Sequence, residues 1–211
     1  LMPASPAEAA DASSFPVASA FVAYAHYASL FVFVGAVTTE RVVIGRGAGN
    51  ISQADEELMT TADIVYGIAA LVATASGYFR VTQYGKGWDF YQHEPIFWVK
   101  LTLVGVLGAL SFFPTVILTK RAIAFRNGEP YEELSPELVK RMTSIMNAEL
   151  TALLSIPLSA TLMSRGVGYW QDFPWPVGAT FVALALFGAG YKYVGEALAW
   201  EEGDQIVAAE E

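Results

Sequence analysis

Residues Ala18–Val37 read ASAFVAYAHYASLFVFVGAV, and the helical pattern continues through TTERVVI to Ile44. About 20 predominantly apolar residues in a helix cross the hydrocarbon core of a bilayer, so this stretch has the length and composition of a transmembrane span. Four more stretches qualify: Ala62–Phe79, Ile96–Leu118, Met142–Met163 and Val177–Trp200. The last is interrupted by Lys192 and Glu196, which places its far end at the membrane surface. Composition agrees. Hydrophobic residues make up 54% of the 211 and charged residues 16%, where a soluble domain carries about a quarter charged. The expectation is an all-α fold: a polytopic membrane helix bundle of five transmembrane helices, four forming a core and one added at the C-terminus. The chain divides as a flexible N-terminal segment (1–17), a four-helix membrane core (18–168), a further C-terminal transmembrane helix (169–200) and an acidic tail (201–211).

Helix boundaries carry their own signals. Ser52, followed by Asp55 and Glu56, reads as an N-cap with acids in the first turn, where they complement the helix dipole. Ser135-Pro136-Glu137 is a second start signal, with proline at the first helical position. These caps start the second and fourth helices in water. Asn127-Gly128-Glu129-Pro130 reads as a turn, and Pro174 and Pro176 mark the entry to the fifth span. Pro114 and Pro157 lie inside helices and are expected to kink them. Ala69, Ala73 and Gly77 offer a small-residue face for close helix contact.

Basic residues set the expected orientation. Arg41, Arg46, Lys120, Arg121, Arg126, Lys140 and Arg141 fall at one end of the spans, against Arg80, Lys86 and Arg165 at the other. That asymmetry puts the N-terminus outside and the C-terminus inside. Trp88, Trp98, Trp170 and Trp175 gather near the outer boundary, the depth that indole rings favour. Ala-Glu-Ala at positions 7–9 suits a signal peptidase, and an ordinary disordered tail explains the same residues equally well.

The net charge of -9 comes largely from the ends of the chain. Basic residues are too few and too scattered for nucleic acid. With no cysteine, disulfide, iron–sulfur and thiolate chemistry are excluded. No serine triad, zinc motif or phosphate-binding glycine loop is present.

Ionisable residues at membrane depth are therefore the candidate functional groups, because burial there is costly. His26 lies about 12 Å inside the first span at 1.5 Å per residue. A neutral imidazole at that depth suits a metal ligand for haem iron or chlorophyll magnesium, or a hydrogen bond to a neighbouring helix. His93 sits in the loop GWDFYQHEPIFW, displaced from His26 by roughly 10 Å in depth, which favours an interfacial role over a second axial ligand. Lys100 enters the third span on the side of His26. It suits a propionate or a phospholipid phosphate, or snorkels to the surface. Glu40, Asp63 and Glu149 form a candidate buried polar cluster near the opposite end, with Arg41 and Arg141 as expected partners.

The runs AYAHYASLFVFVGAVTTERVV, ADIVYGIAALVATASGYFRV and YGKGWDFYQHEPIFWVKL, with IPLSATLMSRGVG further on, resemble a family of predicted four-helix membrane proteins of bacteria, cyanobacteria and plastids. The likeness covers roughly residues 18–168. A more distant likeness is to the HemJ-type protoporphyrinogen oxidases, small four-helix b-haem proteins. It rests on the helix-one histidine and the Phe-Trp-Val-Lys entry to the third span. That likeness implies His26 as haem ligand and Lys100 near the propionates or substrate, but it supplies no second axial histidine.

Three functions compete. The first is an accessory, non-catalytic subunit of a larger photosynthetic assembly in a chloroplast or cyanobacterial thylakoid, packing on larger membrane subunits and binding chlorophyll or another tetrapyrrole. Its N-terminus would face the lumen. The second is a haem b oxidoreductase acting on a tetrapyrrole. The third is a transporter with an ion path along Glu40, Asp63 and Glu149. The first is preferred, and whether the chain is an enzyme stays open, leaning against.

Overall fold

The computed structural model describes residues 6–200, with side chains from Phe15 onward. The regular structure of these residues is all helical: α1 (Pro6–Ile44), α2 (Gln53–Thr82), α3 (Trp88–Tyr91), α4 (Pro95–Arg126), α5 (Pro136–Ser164) and α6 (Trp175–Ala199). Five of the six are long and apolar enough to cross a membrane. The exception is α3, a single turn that the sequence reading left inside the loop. The acids of the tail after Trp200 lie outside the described residues.

The first four long helices overrun their apolar stretches, and two caps and an opening proline explain where α2, α5 and α4 start. Ser52 accepts from the Asp55 amide while the Asp55 carboxylate accepts from the Ser52 amide, closing a capping box ahead of α2. Ser135 accepts from the Leu138 amide, with Pro136 opening α5. Pro95 opens α4 in the same position. Gly128, at φ 84°, supplies the left-handed residue that turns the chain after α4. The interior prolines, Pro114 and Pro157, sit within continuous helices.

Side-chain pairings fix the register. Arg46 meets Asp55, Phe33 meets Tyr66 and His26 meets Ala73, so α1 and α2 run antiparallel. Glu56 meets Arg121 and Asp63 meets Thr115, which sets α2 against α4. Arg41 reaches Asn147 across α1 and α5. Thus α1, α2, α4 and α5 surround one core, whose largest fully buried side chains include Phe113, Met59, Leu118 and Met146.

Helix α6 packs on α4 and is otherwise open, burying only Gly178 and Ala197 completely. It runs parallel to α4. A Cβ on Gly178 would stand 2.3 Å from Trp98 Cγ, and one on Gly105 would stand 2.7 Å from Leu186 Cδ2. Absent side chains thus bring the two helices together, as small residues do in bilayers. At the far end Lys120 Nζ donates to the carbonyls of Ala197 and Leu198, a cation on a helix C-terminus. Arg141 closes the junction with a two-pronged ion pair to Glu196 at 2.5 and 2.6 Å.

Candidate functional site

The polar residues of the spans divide between two levels. His26 and Glu40, both on α1, are about 21 Å apart along its axis at 1.5 Å per residue. Between the levels lie Phe33, Val37, Leu107, Leu110 and Leu153, all buried.

At the first level, His26 faces α2. Its Nδ1 lies 3.1 Å from both Ala73 O and Ser76 Oγ. A carbonyl only accepts, so Nδ1 carries the hydrogen and, in the neutral ring, Nε2 keeps the lone pair. Gly77 makes this approach possible, since a Cβ there would stand 3.2 Å from the imidazole Cε1. The small-residue face read from Ala69, Ala73 and Gly77 is thus the surface that receives the histidine.

His26 lines a cavity of about 320 Å³ with Arg80, Lys86, Lys100, Tyr27 and Tyr91 among its walls. Arg80 donates to the Tyr27 hydroxyl at 2.9 Å and stands over the Tyr27 ring at 4.7 Å. Lys86 Nζ rests 4.1 Å from the centre of the Phe90 ring. Lys100 makes no hydrogen bond or ion pair among the described residues. The lining contains no Asp or Glu. Three cations therefore share one partly buried space with a histidine and no acid on its walls, an electropositive setting.

His93 is elsewhere. Its Nδ1 donates to Phe173 O at 3.2 Å, and its own carbonyl accepts from the Trp170 amide. It ties the α3–α4 connection to the loop entering α6, and the structure does not bring it into the cavity with His26. Next to it, Glu94 is fully buried, and neither carboxylate oxygen has a hydrogen-bond partner of ordinary geometry. Burial pushes the Glu94 carboxyl above the usual carboxylate range, with the Ile96 amide and then Lys86 pulling more weakly the other way. Sequence reasoning passed over Glu94 because it looked like a loop acid outside the spans.

At the second level, Glu40, Asp63 and Glu149 come together from α1, α2 and α5, with relative exposures of 2%, 9% and 1%. All three lie within electrostatic reach of the buried Tyr66. Thr115 donates to Asp63 Oδ1 at 2.7 Å, while Glu149 Oε2 has no hydrogen-bond partner. The expected cationic partners are not there. Arg41 Nε donates to Asn147 Oδ1 and Arg141 is committed to Glu196. Proximity along the chain suggested those pairs, but each guanidinium leaves its helix toward a different neighbour. Among the described residues, no set of three His, Cys, Asp or Glu side chains is placed to hold a metal ion.

Beyond this cluster the loops are locked. Arg121 pairs with both Glu56 oxygens, at 2.7 and 2.9 Å, and also donates to Glu132 O. Tyr131 donates to Ile51 O at 2.6 Å. Burial, reinforced by the charge of Glu56, pushes the Tyr131 phenol up to about 12.

The fold and its polar interior define an integral membrane helix bundle. The chain belongs to the family described as Predicted membrane protein (DUF2214), whose model matches residues 18–168. Neither the curated proteins nor the solved structures contain a match.

Proposed function

We propose that the protein binds a tetrapyrrole bearing free carboxylates in the cavity beside His26, and does so as an accessory subunit of a larger membrane assembly. The observation that carries this reading is the cavity's charge: Arg80, Lys86 and Lys100 on its walls with no acid among them. Cations at that depth hold carboxylates, and His26 Nε2 is the lone pair left for a central metal once Nδ1 is engaged with α2. At about 320 Å³ the space is near the lower end of ligand pockets, roughly 300–1,000 Å³. It suits the acidic edge and metal of the ring rather than the whole disc.

Haem b meets these requirements better than chlorophyll, whose long side chain is esterified and uses fewer of the cations. The same site serves the oxidoreductase reading, in which the bound tetrapyrrole is a working haem. A thylakoid setting, with the N-terminus lumenal, follows the likeness to plastid and cyanobacterial proteins and the excess of Arg and Lys at the α1–α2 and α4–α5 turns.

The test is titration of the purified full-length chain in detergent with haem, followed by absorption. Wild type is expected to give a saturable b-type spectrum. In His26→Ala the ligand-field bands are lost, and in Lys100→Ala affinity falls about tenfold, which corresponds to roughly 1.4 kcal/mol. Identical titrations for all three proteins, or none at all, would overturn the reading. Chlorophyll co-purifying from the native membrane would move the ligand to that pigment.

A further inference from the structure

We propose that Glu40, Asp63 and Glu149 form a proton-binding site, three carboxyl groups on three helices that share bound hydrogen ions inside the bundle. Each group is at least nine-tenths buried. The nearby basic side chains are all engaged elsewhere: Arg41 with Asn147, Arg141 with Glu196, Lys120 with the end of α6 and Arg121 with Glu56.

The groups facing the cluster are few. From α1 comes Glu40, from α2 Asp63 and Tyr66, from α4 the neutral Ser111 and Thr115, and from α5 Glu149. No cation is among them; α6 packs on α4, its Lys192 lies over the Tyr193 ring and its Glu196 is paired with Arg141. Three carboxylates cannot stay ionised together in such a place.

Glu149 Oε2 supplies the second observation. It is a buried oxygen with no donor, which as a bare carboxylate leaves a charge unsatisfied. With a proton on the cluster, a carboxyl becomes an O–H donor and the unsatisfied charge is removed. Binding and release move a hydrogen ion between a carboxyl oxygen and water, and nothing else is transferred. The site is independent of the His26 cavity and does not rest on the tetrapyrrole reading.

Infrared spectroscopy of the full chain in detergent tests it, using Glu94→Gln as the parent so that the other buried carboxyl without an ion partner is silent; Glu56 stays ionised against Arg121. A protonated-carboxyl C=O band is expected at pH 7, shifted in D₂O and weakened in Glu40→Gln, Asp63→Asn and Glu149→Gln. Should those amide variants fail to fold, the parent alone is decisive: unfolding at pH 7 should release at least one proton per chain. Absence of the band and of proton release overturns the proposal. So does a carboxylate-only spectrum that responds to added Mg²⁺ or Na⁺, which would make the cluster a cation site.

Discussion

Glu94 shows how a single side chain can tie stability to pH. Its carboxyl is buried beside the start of α4 and raised by that burial. The folded chain therefore holds this proton to higher pH than the unfolded chain does. Between the two values the native state binds more protons, so stability is complete below the ordinary carboxylate range and falls as pH rises through it. Glu94→Gln cannot ionise, so its thermal midpoint in detergent should decline less than that of wild type from pH 4 to pH 8. Equal declines would mean that the carboxyl is hydrated in solution. None of this could be read from the letters QHEPIF, because burial of a loop acid depends on which loops close over it. His26 was different. A lone histidine within an apolar run already advertised a polar contact, although its partners Ala73 and Ser76 became visible only once α2 lay against α1.

Among elements, α6 depends most on a few contacts. It meets α4 through Gly178 against Trp98 and Leu186 against Gly105, and Trp98 has little freedom to move. Its indole Nε1 donates to Gln92 O at 3.0 Å and the ring stacks near Trp175. Gly178→Val should cost about 1–3 kcal/mol through overpacking. Circular dichroism melts would measure the loss, and a shift in tryptophan emission would locate it at this junction. An unchanged melt and emission would show that α6 can slide along α4 at no cost. The span itself was legible, since Val177–Trp200 needed only hydropathy to be recognised. Its partner was not. Hydropathy is blind to rotation about a helix axis, and the same blindness assigned Arg141 to the acidic cluster when it turns instead to Glu196.

For the whole molecule, the bundle is tied at the end where α2, α4 and the α4–α5 turn converge. Arg121 and Glu56 form a paired-fork contact with both side chains mostly shielded from water, and Tyr131 anchors the turn to Ile51. A double-mutant cycle on Glu56→Gln and Arg121→Met should give a coupling of about 1 kcal/mol or more in unfolding free energy. A coupling near zero would place the pair among surface ion pairs that add little. The antiparallel order of α1, α2, α4 and α5 is what consecutive spans crossing a bilayer require. The assembly of Glu40, Asp63 and Glu149 was expected as well, because all three fall near the same end of their spans. Its lack of a cation was not, since sequence gives depth but not direction.

The distance between the two polar levels has an electrical meaning. They lie about 21 Å apart along α1, some two-thirds of a hydrocarbon core roughly 30 Å thick. An elementary charge crossing a full membrane potential of 100 mV changes energy by about 2.3 kcal/mol. A charge held beside His26 and one held beside Glu40 would therefore sit at different points in the field. Voltage across the membrane would shift occupancy at the two levels unequally, and a charge passing from one to the other would register as current.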